Sequence, residues 1–444
     1  MTDLVIRGGT VVLPGVFGVR ADVAVQDGRI AAIVPEHEGP AREEVDARGL
    51  HVLPGAIDAH VHFNEPGRAD WEGWASGTAA LAAGGATACV EMPLNAHPPT
   101  VDGAAFDAKV AAAGRAAVVD FALWGGLVPG DLDRLDELAQ RGVVGFKAFM
   151  CDTGIDDFAA VDDDELGAGM ARAAALGLPV AVHAERPARL TAPAGAGWRE
   201  WAASRPPDAE LEAIDRALAL AQETGCSLHV VHVSTGAGVA RVAEARARGV
   251  DATCETCPHY LTFTEEDMER LGTAAKCAPP LRPATERDEL WGHLAAGRVA
   301  LVASDHSPCP PAMKAGGFEE AWGGIAGAQS TLALLLDEGH HRRGLPLGPL
   351  AALVTSAPAE RLRLPAARLE PGAAADLALV DLRTRHDLRR EDLHDRHRAN
   401  PFTGRPSRAR VVRTLLRGRT VFAGGRVAGE ARGRLLVPDQ RRQR

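Results

Sequence analysis

The sequence predicts an α/β protein, a (β/α)8 barrel with a small β-sandwich domain formed from both chain termini. Over about 300 residues in the middle of the chain, apolar strand candidates alternate with helical stretches, as in parallel βαβ units. Both ends instead carry short strand candidates separated by turns. An open doubly wound sheet is the alternative for the middle part, and the count of strand candidates favours a closed barrel.

The terminal segments carry the signals of a small β domain. Asp27-Gly28 predicts a hairpin turn because both residues tolerate a positive φ. Strand candidates recur near the other end, at 375–380, 413–416 and 421–422. We therefore predict a small β domain formed by residues 1–54 and 366–444, and a catalytic barrel formed by residues 55–365.

The middle segment carries eight strand candidates. Helical spacing lies between them, for example over 208–223, where Leu211, Ile214 and Leu218 share one face. The candidates are 56–63, 86–92, 117–125, 143–149, 179–184, 227–233, 250–256 and 299–304.

Composition excludes several classes of protein. The chain is 46% apolar and 24% charged, which is typical of a globular protein and not of a disordered one. A net charge of −10 argues against a nucleic-acid or anionic-membrane partner. No apolar run reaches the length of a membrane span, and the first residues lack the basic and apolar regions of a signal peptide. With seven scattered cysteines, we expect a cytoplasmic protein without a disulfide framework.

Lysine is rare in this chain. Only Lys109, Lys147, Lys276 and Lys314 occur among 49 lysine and arginine residues. A lysine retained in so arginine-rich a chain indicates that the protein needs the chemistry of an amine. The alternative is that these four lysines remain by chance.

Metal-capable side chains follow the strand candidates at their carboxyl ends. His60 and His62 lie two residues apart, so a strand places both on one face. Barrel active sites are built at this end from several strands, which predicts one shared site. The other members, each after a different strand, are Lys147, His183, His232 and Asp305.

An ordered set of motifs resembles the amidohydrolase superfamily, in its cyclic amidohydrolase branch, and within that branch the allantoinases. The similarity extends over nearly the whole chain, to about residue 428. The motifs include HVHFNEPGR (60–68), EMPLNAHPPT (91–100), GFKAF (145–149), ETCPHYL (255–261), KCAPPLR (276–282) and SDHSPCPPAMKAG (304–316).

The resemblance implies a site with two divalent metal ions, most simply Zn²⁺. His60 and His62 would hold one ion with Asp305, and His183 and His232 would hold the second. Lys147 would bridge both as N6-carboxylysine, formed with CO2, because a neutral amine can attack CO2 and an arginine cannot. The implied mechanism uses a metal-bridging hydroxide as nucleophile and Asp305 as proton shuttle.

The resemblance also implies a small-molecule substrate. Dihydroorotases carry an arginine where this chain has Asn64, and dihydropyrimidinases and hydantoinases carry a tyrosine soon after the bridging lysine. Here the only tyrosine is Tyr260. This pattern favours opening of the hydantoin ring of allantoin to allantoate, with Asn64 and Asn95 as substrate-binding residues. Dihydropyrimidinase or hydantoinase activity is the alternative.

Some relatives are non-catalytic assembly proteins that have lost their metal ligands. This chain keeps all six ligands, which favours an enzyme. The resemblance also implies a homotetramer, because family members are commonly homotetramers. Cys254 and Cys257 could form half a zinc knuckle or a redox pair, although small buried thiols explain them as well. His229 is expected to be structural, and His259 and the loop 186–200 receive no role.

Overall fold

The computed structural model describes residues 2–13, 18–365 and 367–439. Residues 1, 14–17, 366 and 440–444, which belong to the two predicted terminal segments, lie outside the described residues. The strands are β1 Thr2–Val11, β2 Val19–Gln26, β3 Arg29–Val34, β4 Ala41–Asp46, β5 His51–Pro54, β6 Ala56–Val61, β7 Ala86–Glu91, β8 Asp120–Leu123, β9 Gly125–Gly126, β10 Phe146–Phe149, β11 Val180–His183, β12 Leu228–Val230, β13 Ala252–Thr256, β14 Leu301–Val302, β15 Leu377–Asp381, β16 His386–Asp387, β17 Pro406–Ser407, β18 Arg410–Leu416, β19 Arg419–Ala423 and β20 Arg426–Val427.

The α-helices lie mostly between the parallel strands. They are α1 Trp74–Ala83, α2 Gly103–Ala116, α3 Asp133–Arg141, α4 Asp163–Ala175, α5 Trp198–Ser204, α6 Pro207–Thr224, α7 Gly236–Ala247, α8 Pro258–Thr262, α9 Asp267–Leu271, α10 Ala284–Ala295, α11 Thr331–Leu336, α12 Leu347–Ala352 and α13 Ser356–Leu362. Among the described helices, none combines the length and the apolar character needed to cross a bilayer. The order of strands and helices along the chain confirms the predicted α/β class.

Strands from both ends of the chain share one sheet. Its order is β20-β19-β18-β15-β5-β1-β2-β3, with β4 paired to β1. The two ends meet where β15 pairs antiparallel with β5, so that Leu377 lies opposite Pro54. The predicted hairpin turn joins β2 to β3, with φ of 51° at Asp27 and 74° at Gly28.

Parallel strands form the middle of the molecule. β9 to β14 pair in chain order, and so do β6, β7 and β8. The amide of His62 donates to the carbonyl of His306 at 2.8 Å, which joins the segment after β6 to the segment after β14. Each strand candidate contains a strand, but most strands are shorter than predicted.

β12 and β14 each end two or three residues before a residue with a positive φ. φ is 39° at His232 and 46° at Asp305, in the left-handed region that a strand excludes. The predicted strands 227–233 and 299–304 are therefore wrong at their ends, and His232 lies in the loop after β12. These turns aim polar side chains across the carboxyl end of the parallel strands.

Helix α6 shows how the helices cover this sheet. It spans Pro207–Thr224, close to the predicted 208–223, with a proline in its first turn and Gly225 at φ 68° after its last residue. Ile214 and Leu218 are among its buried residues, so one apolar face packs inward.

Candidate active site

The first group of predicted ligands lies at the ends of β6 and β14. His60 Nε2 is 3.2 Å and His62 Nε2 3.4 Å from Asp305 Oδ1, and the two Nε2 atoms are 3.3 Å apart. Burial lowers the pKa of His62 to about 4, so its imidazole is neutral at physiological pH. Burial alone would raise the pKa of Asp305, but His60 and His62 outweigh it and the pKa is lowered.

Glu255, at the end of β13, orients the first group. His60 Nδ1 donates to Glu255 Oε1 at 2.5 Å, and His229 Nε2 donates to Glu255 Oε2 at 3.1 Å. With its Nδ1 bonded to Glu255, His60 directs its Nε2 atom into the site. His229 is thus a supporting residue, tied to His60 through a shared carboxylate.

The second group lies at the ends of β11 and β12. His183 Nδ1 and His232 Nε2 are 3.1 Å apart. His183 Nε2 donates to Glu185 Oε2 at 2.7 Å, and Arg205 pairs with the same carboxylate at 2.5 Å. Burial would raise the pKa of Glu185, but Arg205 and His183 outweigh it and lower the pKa to about 2. This arrangement leaves the His183 Nδ1 lone pair facing His232.

Lys147, on β10, lies beside both groups. Its side chain is fully buried, and its Nζ has no hydrogen-bond partner among the described residues. The Nζ is 4.4 Å from the centre of the Phe149 ring. Burial lowers the pKa of Lys147 to about 7, which makes the neutral amine accessible near physiological pH.

The donor set fits a pair of metal ions. The His60 and His232 ring centres are 5.6 Å apart, so the two groups adjoin. A ligand atom from each of His60, His62 and Asp305 lies within 4.8 Å of the others. Buried imidazole lone pairs that face one another beside a carboxylate and an unpaired amine need a cation for compensation, and nitrogen and oxygen donors suit Zn²⁺.

The predicted substrate-binding residues lie on the adjoining loops. Asn64 is fully buried with φ 66°, its Nδ2 donates to Pro308 O at 3.4 Å, and its Oδ1 has no partner among the described residues. Asn95 is buried with φ 71°, and its carbonyl accepts from Arg68 at 2.9 Å. The Tyr260 hydroxyl donates to Pro279 O at 2.6 Å, so this tyrosine is already engaged.

The two residues of the CxxC motif are buried free cysteines. Burial raises the pKa of Cys254 to about 12, and that of Cys257 well above its usual value, as expected of inert core thiols. His259 is also buried, with Nε2 unpaired among the described residues.

Sequence reasoning missed several supporting residues. Glu255 lies at the end of the strand candidate 250–256, and Glu185 directly follows the candidate 179–184, but the contact of Glu255 with His60 joins residues far apart in sequence. Cys151, four residues after Lys147, groups with His183 and Glu185 within 4.8 Å. A carboxylate placed at a strand end, near a strand-end histidine, is the signal that could have indicated the first two.

Comparisons with known proteins find relatives over nearly the whole chain. Residues 51–421 match the amidohydrolase family model. The chain is 62% identical to an allantoinase of Rubrobacter xylanophilus, over 99% of this chain and 98% of that protein. It is 54% identical to an allantoinase of Solibacter usitatus, over 99% and 97%.

A solved structure shows the same overall fold. An L-hydantoinase (dihydropyrimidinase) from Arthrobacter aurescens superposes with a TM-score of 0.94 at 33% identity, covering 98% of this chain and all of that one. The fold and the similarity together define a hydrolase. The chain belongs to the amidohydrolase family.

Proposed function

We propose that this protein is a binuclear-metal hydrolase of cyclic amides that opens the hydantoin ring of allantoin to give allantoate. The observation that carries the proposal is the near-full-length similarity to allantoinases, 62% in one case. The convergence of His60, His62, His183, His232, Lys147 and Asp305 on one buried site supports the hydrolytic chemistry.

We assign the metal ligands as the resemblance implies. His60, His62 and Asp305 would hold one ion, His183 and His232 would hold the other, and carboxylated Lys147 would contribute to both. The neutral Lys147 amine forms an N–C bond with CO2 and loses a proton, which turns the side chain into an anion with two oxygen donors. When bound, the two ions supply Lewis acidity that lowers the pKa of water and polarises the scissile carbonyl.

The protein side chains then move the proton and hold the substrate. The Asp305 carboxylate accepts the proton of the attacking water and delivers it to the departing ring nitrogen. Glu255 and Glu185 keep His60 and His183 in their tautomers. Asn64 and Asn95 offer neutral amides to a substrate without a carboxylate.

A turnover panel tests the substrate. We expect kcat/KM for allantoin to exceed that for dihydroorotate by at least about 10³-fold, because no arginine stands at position 64 to pair the carboxylate of dihydroorotate. The assay measures allantoate by chromatography with metal-reconstituted protein. Faster opening of dihydrouracil or hydantoin would favour the hydantoinase alternative, to which the similarity with the Arthrobacter aurescens L-hydantoinase points. The engaged Tyr260 hydroxyl argues against that alternative.

We further propose the finer features of the architecture and assembly. The His62–His306 bond supports closure of the parallel strands into a barrel over residues 55–365. The shared terminal sheet supports a small β-sandwich domain of residues 1–54 and 366–444. Zinc loading, a cytoplasmic location and a homotetramer stay predictions; metal analysis, cell fractionation and light scattering test them.

A further inference from the structure

All four lysines of this arginine-rich chain make defined contacts inside the protein. Lys109 and Lys147 are fully buried, and Lys276 is 4% exposed. Lys314 is partly exposed as a residue, yet its ammonium group is surrounded by backbone carbonyls. Lys276 and Lys314 have no part in the proposed chemistry, and both lie in the loops that follow β13 and β14.

Lys314 joins two of these loops. Its Nζ donates to the carbonyls of Thr273 at 3.1 Å, Trp322 at 2.9 Å and Gly324 at 2.6 Å. The Thr273 hydroxyl donates in return to the carbonyl of Lys314 at 2.5 Å. One ammonium group therefore holds the turn 272–275 against the segment 321–325.

Lys276 reinforces the same junction. Its Nζ donates to the carbonyl of Ala321 at 2.5 Å and lies 4.2 Å from the centre of the Trp201 ring. The carbonyl of Lys276 accepts from the Gly324 amide at 2.8 Å. At this junction the segment 321–325 is thus held by two ammonium groups and by the backbone bond from Gly324 to Lys276.

This segment packs directly against the strand end that carries Asp305. A Cβ on Gly324 would lie 2.2 Å from the carbonyl oxygen of Ser307, so only glycine fits there. The Ser307 amide donates to the carbonyl of Ile325 at 3.0 Å. Any shift of the segment is therefore transmitted to residues two positions from Asp305.

A second contact ties the segment to the loop after β6. Trp322 packs edge-on against Trp71, with ring centres 4.9 Å apart. That loop begins at His62 and includes Asn64. The segment 321–325 consequently borders the proposed site on two sides.

The geometry requires lysine at position 314. An ammonium group has three donors arranged tetrahedrally around one nitrogen, which matches three carbonyls at 2.6 to 3.1 Å from a single atom. A guanidinium is planar, larger and carries five donors in a fixed fork, so it cannot satisfy the same carbonyls. Retention of lysine where arginine is otherwise general has a physical reason here.

We propose that Lys314 and Lys276 are positioning residues of the hydrolase, which hold the backbone of 321–325 as a wall of the substrate site. They act through that backbone and touch neither the substrate nor the metal ligands. The kinetic part of this proposal rests on the proposed function, whereas the structural part does not.

The experiment compares Lys314→Arg, Lys314→Met and Lys276→Met with Arg270→Met. Arg270 is an exposed residue on the neighbouring helix α9, where it pairs with Asp267. Hydrogen exchange is measured for the backbone amides of residues 303–327. Steady-state kinetics with allantoin and the content of bound metal are measured on the same samples. We expect amide exchange at Gly324 and Ser307 to accelerate at least about tenfold in the lysine variants only.

In the same variants kcat/KM is expected to fall at least about tenfold, mainly through KM, with metal content unchanged. Normal exchange in Lys314→Arg would overturn the proposal, as would faster exchange with unchanged KM. If Lys314→Met fails to fold, Lys314→Arg and Lys276→Met decide. A wild-type protein that leaves allantoin intact refutes the proposed function, and the exchange measurement still tests the lysine contacts.

Discussion

Removal of the ammonium group of Lys109 should destabilise the protein strongly. Lys109 Nζ pairs with Glu91 at the end of β7, and both side chains are fully buried. Lys109 also donates to the Met92 carbonyl at 2.9 Å, and Glu91 accepts the Phe63 amide at 3.2 Å. In Lys109→Met the carboxylate stays buried without its partner, which typically costs about 3–5 kcal/mol.

The loss should depend on pH. Burial raises the pKa of Glu91, and removing Lys109 raises it further, because the ammonium is the main group that opposes burial. A carboxyl with a raised pKa in the folded state contributes stability below its unfolded pKa, and that contribution is lost as pH rises through the folded pKa. The deficit of Lys109→Met should therefore be larger at pH 8 than at pH 5.

Urea unfolding followed by tryptophan fluorescence at both pH values measures the effect. The control is Arg48→Met, since Arg48 and Asp46 form an ion pair with side chains 71% and 58% exposed. That exposed pair should contribute little to stability, because solvent screens both charges. A deficit below 1 kcal/mol at pH 8 in Lys109→Met, or one that does not change with pH, would refute the reasoning.

Three further predictions concern the candidate site. Lys147→Ala should lose most bound metal and nearly all activity, and a short carboxylic acid should restore part of the activity. Wild-type metal content and turnover in Lys147→Arg would contradict the assignment of Lys147 as a carbamate. Asp305→Asn should lower kcat by at least about 10²-fold. Near-normal turnover in a fully metallated sample would exclude the proton shuttle. Glu255→Gln should weaken metal binding by about 10- to 100-fold in equilibrium dialysis, because a glutamine side chain has a single acceptor oxygen for His60 and His229 together and lacks the negative charge of the carboxylate. Unchanged affinity would show that the Glu255 contact does not orient His60.

Local patterns in the sequence determined much of this protein. The two-residue spacing of His60 and His62 indicated that both face one site at the end of β6, and Asp27-Gly28 indicated the turn between β2 and β3. Alternation of apolar strands with helical stretches predicted the α/β order. These features depend on backbone periodicity and turn chemistry within a few residues, which a sequence displays directly.

The tertiary structure decided which distant groups meet. His60 and Glu255 are 195 positions apart, and their contact exists only because β6 and β13 end at the same edge. The left-handed φ of Asp305, after the short strand β14, also appears only in the structure. Likewise, Lys314 meets all three of its carbonyls only after the loops that follow β13 and β14 come together. A residue's type shows what it can bind, whereas its partner depends on long-range packing that no local pattern encodes.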